Sequence, residues 1–176
     1  MNTLSQPEHS PHPGACDSVA FLEQGLTLLR DITDEQFAAT LPPVFRSGVG
    51  AHIRHILDHF DCLLNGIETG RVEYDGRKRD VRVELERDAA IAAIENMISR
   101  LDNVMRAPRE VALLVKMDSG GTTTEWAESS VSREFQFLTS HTIHHYALVA
   151  AILGHAGCTM NAGFGISPST LRHAQQ

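Results

Sequence analysis

Cysteine is scarce in this 176-residue chain: there are three, with no Cys-x-x-Cys pair among them. Cys16, Cys62 and Cys158 are odd in number and far apart, which excludes a disulfide framework or a zinc finger and points to reduced thiols in a cytoplasmic protein. Basic residues are outnumbered, 15 against 22 acidic ones, for a net charge of −7. A phosphate-rich nucleic acid is therefore not the expected partner. No apolar run approaches the ~20 residues of a membrane span. The start of the chain has no charged stretch followed by an apolar one, so a secretory leader is not expected. Histidine, by contrast, is plentiful. Of ten, seven lie within 52–59 and 141–145 or just beyond, at 155.

The stretch Ser132–Gly154 reads as a helix of about six turns. Ser132 is placed to cap it, Glu134 suits the positive end of its dipole, and Gly154 or Gly157 suits its end. Phe137, Leu138, Leu148, Val149 and Ile152 form one stripe, and His141 and His145 lie on it four residues apart. Imidazoles facing a core need partners for their nitrogens, and a shared metal satisfies both rings at once. The plainer alternative is two histidines hydrogen-bonded at a bundle edge. His144 falls off the pair and is expected either to support the ligands from behind or to face solvent.

Residues 1–16, with three prolines, read as a loose tail before a single domain over 17–176. Asp17 or Ser18 is placed to cap a first helix with Val19, Leu22, Leu26 and Leu29 on one face. Thr33-Asp-Glu-Gln36 is a capping-box pattern, and Leu41-Pro-Pro43 forces an extended link. A second long helix runs from Ser47-Gly48 to Gly66 or Gly70, its stripe built from Val49, Ile53, Ile56, Leu57, Phe60, Leu63, Leu64 and Ile67. His52, His55 and His59 share a narrow arc beside that stripe, and the wheel places His52 and His59 nearer to it than His55. The charge-dense segment 71–88 reads as a solvated crossover, or as a place where Arg77, Arg79 and Arg82 grip an anionic substrate. A third long helix is expected over 86–106, with Met105 on its apolar face and Pro108 to end it. A small hairpin follows, pairing 111–117 with Thr122–Trp126 through a turn at 118–121. Phe164 and Ile166 are placed to pin the tail to the bundle, either as a lid beside the histidines or as a docked end. The whole is an all-α, four-helix up-and-down type bundle with a β-hairpin between its third and fourth helices.

Thr33-Asp-Glu-Gln, Gly50-Ala-His-Ile-Arg-His-Ile-Leu-Asp-His-Phe60 and His141-Thr-Ile-His-His-Tyr146 together resemble the DinB-like superfamily, over roughly residues 17–156. The resemblance implies a helical bundle holding a divalent metal on three histidines. Its first ligand maps onto His55, followed by Ile56 and, three residues on, Asp58. The other two map onto His141 and His145, with His59 the substitute for His55. Many relatives carry Arg-Gly-Gln after the last ligand, where this chain has Tyr146-Ala-Leu148.

The resemblance implies an enzyme of transferase or hydrolase type that activates a thiol or water against a small-molecule substrate. Zinc or nickel and a low-molecular-weight thiol are its expected cofactors. Asp58, Glu134 and Tyr74 are the candidate catalytic proton handlers or ligand orienters. Related bundles commonly pair through helix faces, which implies a homodimer. The alternative function is a non-catalytic metal-binding or ligand-sensing bundle.

Overall fold

In a computed structural model, residues 12–106, 111–118, 120 and 125–174 are described. Four long helices carry the core: α1 (Pro13–Asp31), α3 (Val49–Thr69), α5 (Arg87–Arg106) and α6 (Val131–His155). The short helices α2 (Asp34–Phe37), α4 (Val81–Leu85) and α7 (Pro168–His173) and the strands β1 (Arg71–Glu73), β2 (Ala112–Lys116) and β3 (Ala127–Ser130) fill the connections. Each apolar stripe turns inward: Leu22 and Leu29 of α1, Ile53, Phe60 and Leu63 of α3, Ile94 and Leu101 of α5, and Phe135, Leu138 and Val149 of α6 are almost wholly buried. Each contributes on the order of 1.5–3 kcal/mol.

The packed pairs are α1 with α5 and α6, and α3 with α5 and α6. Helices adjacent in the chain, α1 and α3, thus lie across the bundle from one another. Long connections make such a crossover possible. The expected hairpin is present as β2 against antiparallel β3, with β1 added in parallel on the outer side of β2. The returning strand covers Ala127–Ser130; of the expected partner over 122–126, residues 122–124 lie outside the described residues, and Glu125 and Trp126 precede the strand. Residues 1–11, 107–110, 119, 121–124 and 175–176 fall outside the described residues, as does the Met105 side chain, so the first eleven residues of the expected tail, the stop at Pro108 and half of the hairpin turn do too.

Two helix starts differ from the sequence reading, and the crossover between α3 and α5 is more ordered than it implies. α1 begins at Pro13, inside the expected tail, because proline suits the first helical turn. Ser18 is buried within that helix and donates to the Gly14 carbonyl at 2.8 Å. α6 begins two residues early, with the Ser130 side chain accepting the Arg133 N–H. The 71–88 crossover is largely folded: Val72 is buried in β1, and Asp80 caps α4 through the Arg82 N–H. The capping box at Thr33 and Gln36 forms as expected.

The C-terminal segment docks on the α1 side of the bundle. Phe164 stacks on Tyr146 at 4.6 Å, and the Tyr146 hydroxyl donates to the Phe21 carbonyl at 2.9 Å. Gly165, at φ +72°, lies so close to the Tyr146–Ala147 backbone that a Cβ would collide with it. Tyr146 is therefore a fixing point for the tail and α1.

Candidate metal centre

α3 and α6 run antiparallel, since His59 meets His141 while His52 meets His145. The core stripes fix how each helix is rotated and leave both sets of histidines at the seam between them. His55, His141 and His145 each bring a nitrogen to within 4.8 Å of the others, a group able to hold a metal ion. Their ring centroids are 5.0 Å (His55–His141), 4.6 Å (His55–His145) and 4.5 Å (His141–His145) apart.

The wheel correctly makes His52 and His59 the more buried pair, at 8% and 4% exposure. Burial and convergence are different properties, however. His52 Nδ1 lies 2.9 Å from His145 Nδ1. His59 donates Nδ1–H to the His55 carbonyl at 2.8 Å and stacks on Tyr74 at 5.2 Å. His144 is exposed, edge-on to His145.

Burial, then the neighbouring rings, pulls the imidazoles far down. His55 falls to about 2, with His59, His145, His141 and Arg77 adding to burial. His141 falls to about 4, through burial and then His59, His144 and Arg77. His145 falls to about 3, through burial and then His141 and His52. All three rings are neutral near pH 7, the form a metal requires. His141 Nε2 is buried and lacks a hydrogen-bond partner among the described residues. Neutral nitrogen donors with an orphaned buried nitrogen fit a divalent ion.

These depressions set an expected pH response. The unfolded rings titrate near 6.5 and the folded ones at about 2 to 4. The unfolded state therefore binds more protons as pH falls. The contribution of these rings is full above about pH 7 and is lost as pH drops through 6.5 toward 4. Thermal melts of metal-free protein should show the midpoint falling across that window; a midpoint that held or rose toward pH 5 would contradict this electrostatic picture.

The other expected site residues are split among different tasks. Glu134, 4% exposed, accepts from the Tyr74 hydroxyl at 2.7 Å and from Ser129 Oγ at 2.5 Å. Tyr74 and Glu134 thus satisfy each other and tie the sheet to α6, with Tyr74 touching the cluster only through its ring. Asp58 faces Arg54 Nη1 at 2.6 Å and Arg77 Nε at 3.8 Å. Burial pushes its carboxyl up while Arg54 and Arg77 pull it back. Arg77 is half-buried, donates to the Tyr74 carbonyl at 2.5 Å, and lowers the pKa of His55 and His141. Arg79 is exposed, and Arg82 is 74% exposed and paired with Asp80, so the three arginines do not converge. Arg54 and Ser129 were missed by the sequence reading. The i,i+4 spacing of Arg54 and Asp58 was the available signal for the first.

Residues 23–149, which include all three converging histidines, match the family model of the DinB superfamily. The chain is 29% identical over 107 residues to FK506-binding protein 5 of Rhizopus delemar; the match covers 60% of this chain and 28% of that relative's length. The crystal structure of a DinB-like protein, YjoA, from Bacillus subtilis superposes with a TM-score of 0.57 at 16% identity, over 84% of this chain and 94% of that one. At that identity the likeness concerns the fold.

Proposed function

This chain belongs to the DinB superfamily, and on that premise we propose that it is a metal-dependent enzyme whose His55, His141 and His145 hold one divalent ion, zinc or nickel. The observation that carries this reading is the convergence of three neutral imidazoles, one with a buried nitrogen that has no hydrogen-bond partner among the described residues. Held by these three neutral nitrogens, a divalent ion would keep its full charge and would supply Lewis acidity that lowers the pKa of a thiol or water. The reaction class is transfer or hydrolysis on a small electrophile.

The chain's own residues set the conditions. Phe137, stacked on His141 at 5.5 Å, and Tyr74 provide aromatic walls that exclude water from one side. Arg77 adds positive potential toward His55 and His141, which favours an anionic substrate or thiolate. Cys62, pushed up to about 11 by burial and then by Asp61, is a poor source of thiolate, so a reacting thiol would come from solution. No described helix is long and apolar enough to cross a membrane; a cytoplasmic location, where such thiols stay reduced, belongs to the same proposal.

His59 favours a second reading, a non-catalytic metal-binding or ligand-sensing bundle. Its ring lies 4.3 Å from His55 and 4.5 Å from His141, as near as the converging rings are to each other. A fourth histidine ligand would close the site. Metal-loaded protein, offered a chromogenic aryl halide with a panel of low-molecular-weight thiols, should consume the halide only when metal is present, and His59→Ala should keep its metal. Loss of metal from His59→Ala together with no turnover would favour the closed site.

A further inference from the structure

We propose that His52 is a positioning residue for the metal centre: it accepts the Nδ1–H of His145 and thereby presents the bare Nε2 of His145 to the ion. The inference rests on the reading of His145 as a ligand. The two Nδ1 atoms are 2.9 Å apart. Neither two lone pairs nor two N–H groups would face each other at that distance, so one proton lies between them. If His52 donated it, the proton of neutral His145 would sit on Nε2, the nitrogen left for coordination, and block it. If His145 donates it, Nε2 is bare. A bound ion therefore selects the second arrangement.

The same choice places the proton of His52 on its own Nε2. That atom is buried and has no hydrogen-bond partner among the described residues, so His52 has no other visible use for its ring nitrogens. His52 also precedes His55 by one helical turn. α3 thus supplies both a converging histidine and the group that orients one on α6, which ties the register of the two helices to the geometry of the centre. Histidine ligands commonly donate their second N–H to a carboxylate, a carbonyl or water. A carboxylate acceptor draws the proton and passes negative charge to the ring. A neutral imidazole orients His145 without that transfer and leaves the ion more electrophilic.

The test compares His52→Phe, which keeps a ring but no acceptor, with His52→Asn, whose side-chain oxygen can stand near the lost Nδ1. Zinc affinity is read by competition with a chromophoric chelator, and the cobalt-substituted visible spectrum reports ligand geometry. His52→Phe should bind zinc about 10–100-fold more weakly and change the cobalt spectrum, and His52→Asn should recover most of both. If His52→Phe fails to fold, His52→Leu takes its place. A phenylalanine variant with wild-type affinity, or an asparagine variant weaker than it, would mean that His52 serves packing alone and would overturn the inference. Wild-type protein that binds no zinc would instead overturn the metal centre itself.

Discussion

His141→Ala or His145→Ala should leave the protein unable to retain zinc through gel filtration. Either change removes one of three nitrogens, and the weakening should exceed the 10–100-fold that loss of an outer partner brings. Metal-dependent stabilisation offers a second reading of the same event. An ion at about 1,000 times its Kd stabilises the fold by about 4 kcal/mol, and about 2–4 °C per kcal/mol applies at this chain length. Zinc should therefore raise the wild-type melting midpoint by roughly 8–16 °C and the variants' hardly at all. Metal-free variants should melt near metal-free wild type, because the removed rings sit at the half-buried seam and leave no charge behind. An undiminished zinc shift in both variants would mean that the ion binds elsewhere.

Arg54→Ala should cause the largest loss of stability among the charged residues around the centre. Arg54 holds Asp58 at 2.6 Å and Glu84 at 2.9 Å, and the Arg54 and Asp58 side chains are 13% and 10% exposed. The Arg54–Glu84 pair joins α3 to α4 at a place where the backbones already touch: a Cβ on Gly50 would collide with the Glu84 carbonyl. Removing Arg54 leaves the buried Asp58 carboxylate only the more distant Arg77 Nε at 3.8 Å, which costs up to about 3–5 kcal/mol, or up to roughly 6–20 °C of melting midpoint. Burial already pushes the Asp58 carboxyl up. Without Arg54 it takes a proton more readily, so the deficit should be smaller at pH 5 than at pH 8. Arg82→Ala is the control, since its pair with Asp80 is solvent-exposed and contributes little to folding. Equal melting losses in the two variants would contradict the assignment of Asp58 to a structural ion pair.

The long helices were legible because their apolar residues recur with helical spacing, and α3 and α6 follow that pattern nearly to their ends. The ligand choice on α3 was not. A wheel measures the angle between a side chain and its own helix's core stripe, which identifies His52 and His59 as buried. Convergence of His55 with His141 and His145 depends on how α6 packs across α3, and only the resemblance to relatives pointed there. The cap of α6 moved from Ser132 to Ser130 because strand and helix adjoin without a loop, and both serines are competent caps. β1 has one buried residue, Val72, among charged neighbours, too short a pattern to distinguish from a loop. α7 did carry a start signal, Ser167 as cap with Pro168 behind it. The arginines at 77, 79 and 82 looked like a cluster because they are close in sequence. The turn at Tyr74–Gly76 and the cap at Asp80 send them to different surroundings.

Elemental analysis of the wild-type chain, purified without an affinity tag and dialysed against trace divalent metal, tests the central claim most directly. The account predicts close to one zinc or nickel per chain, and essentially none in the variant carrying His55→Ala, His141→Ala and His145→Ala together. Wild-type protein without bound metal, or a triple variant that keeps it, would contradict the account.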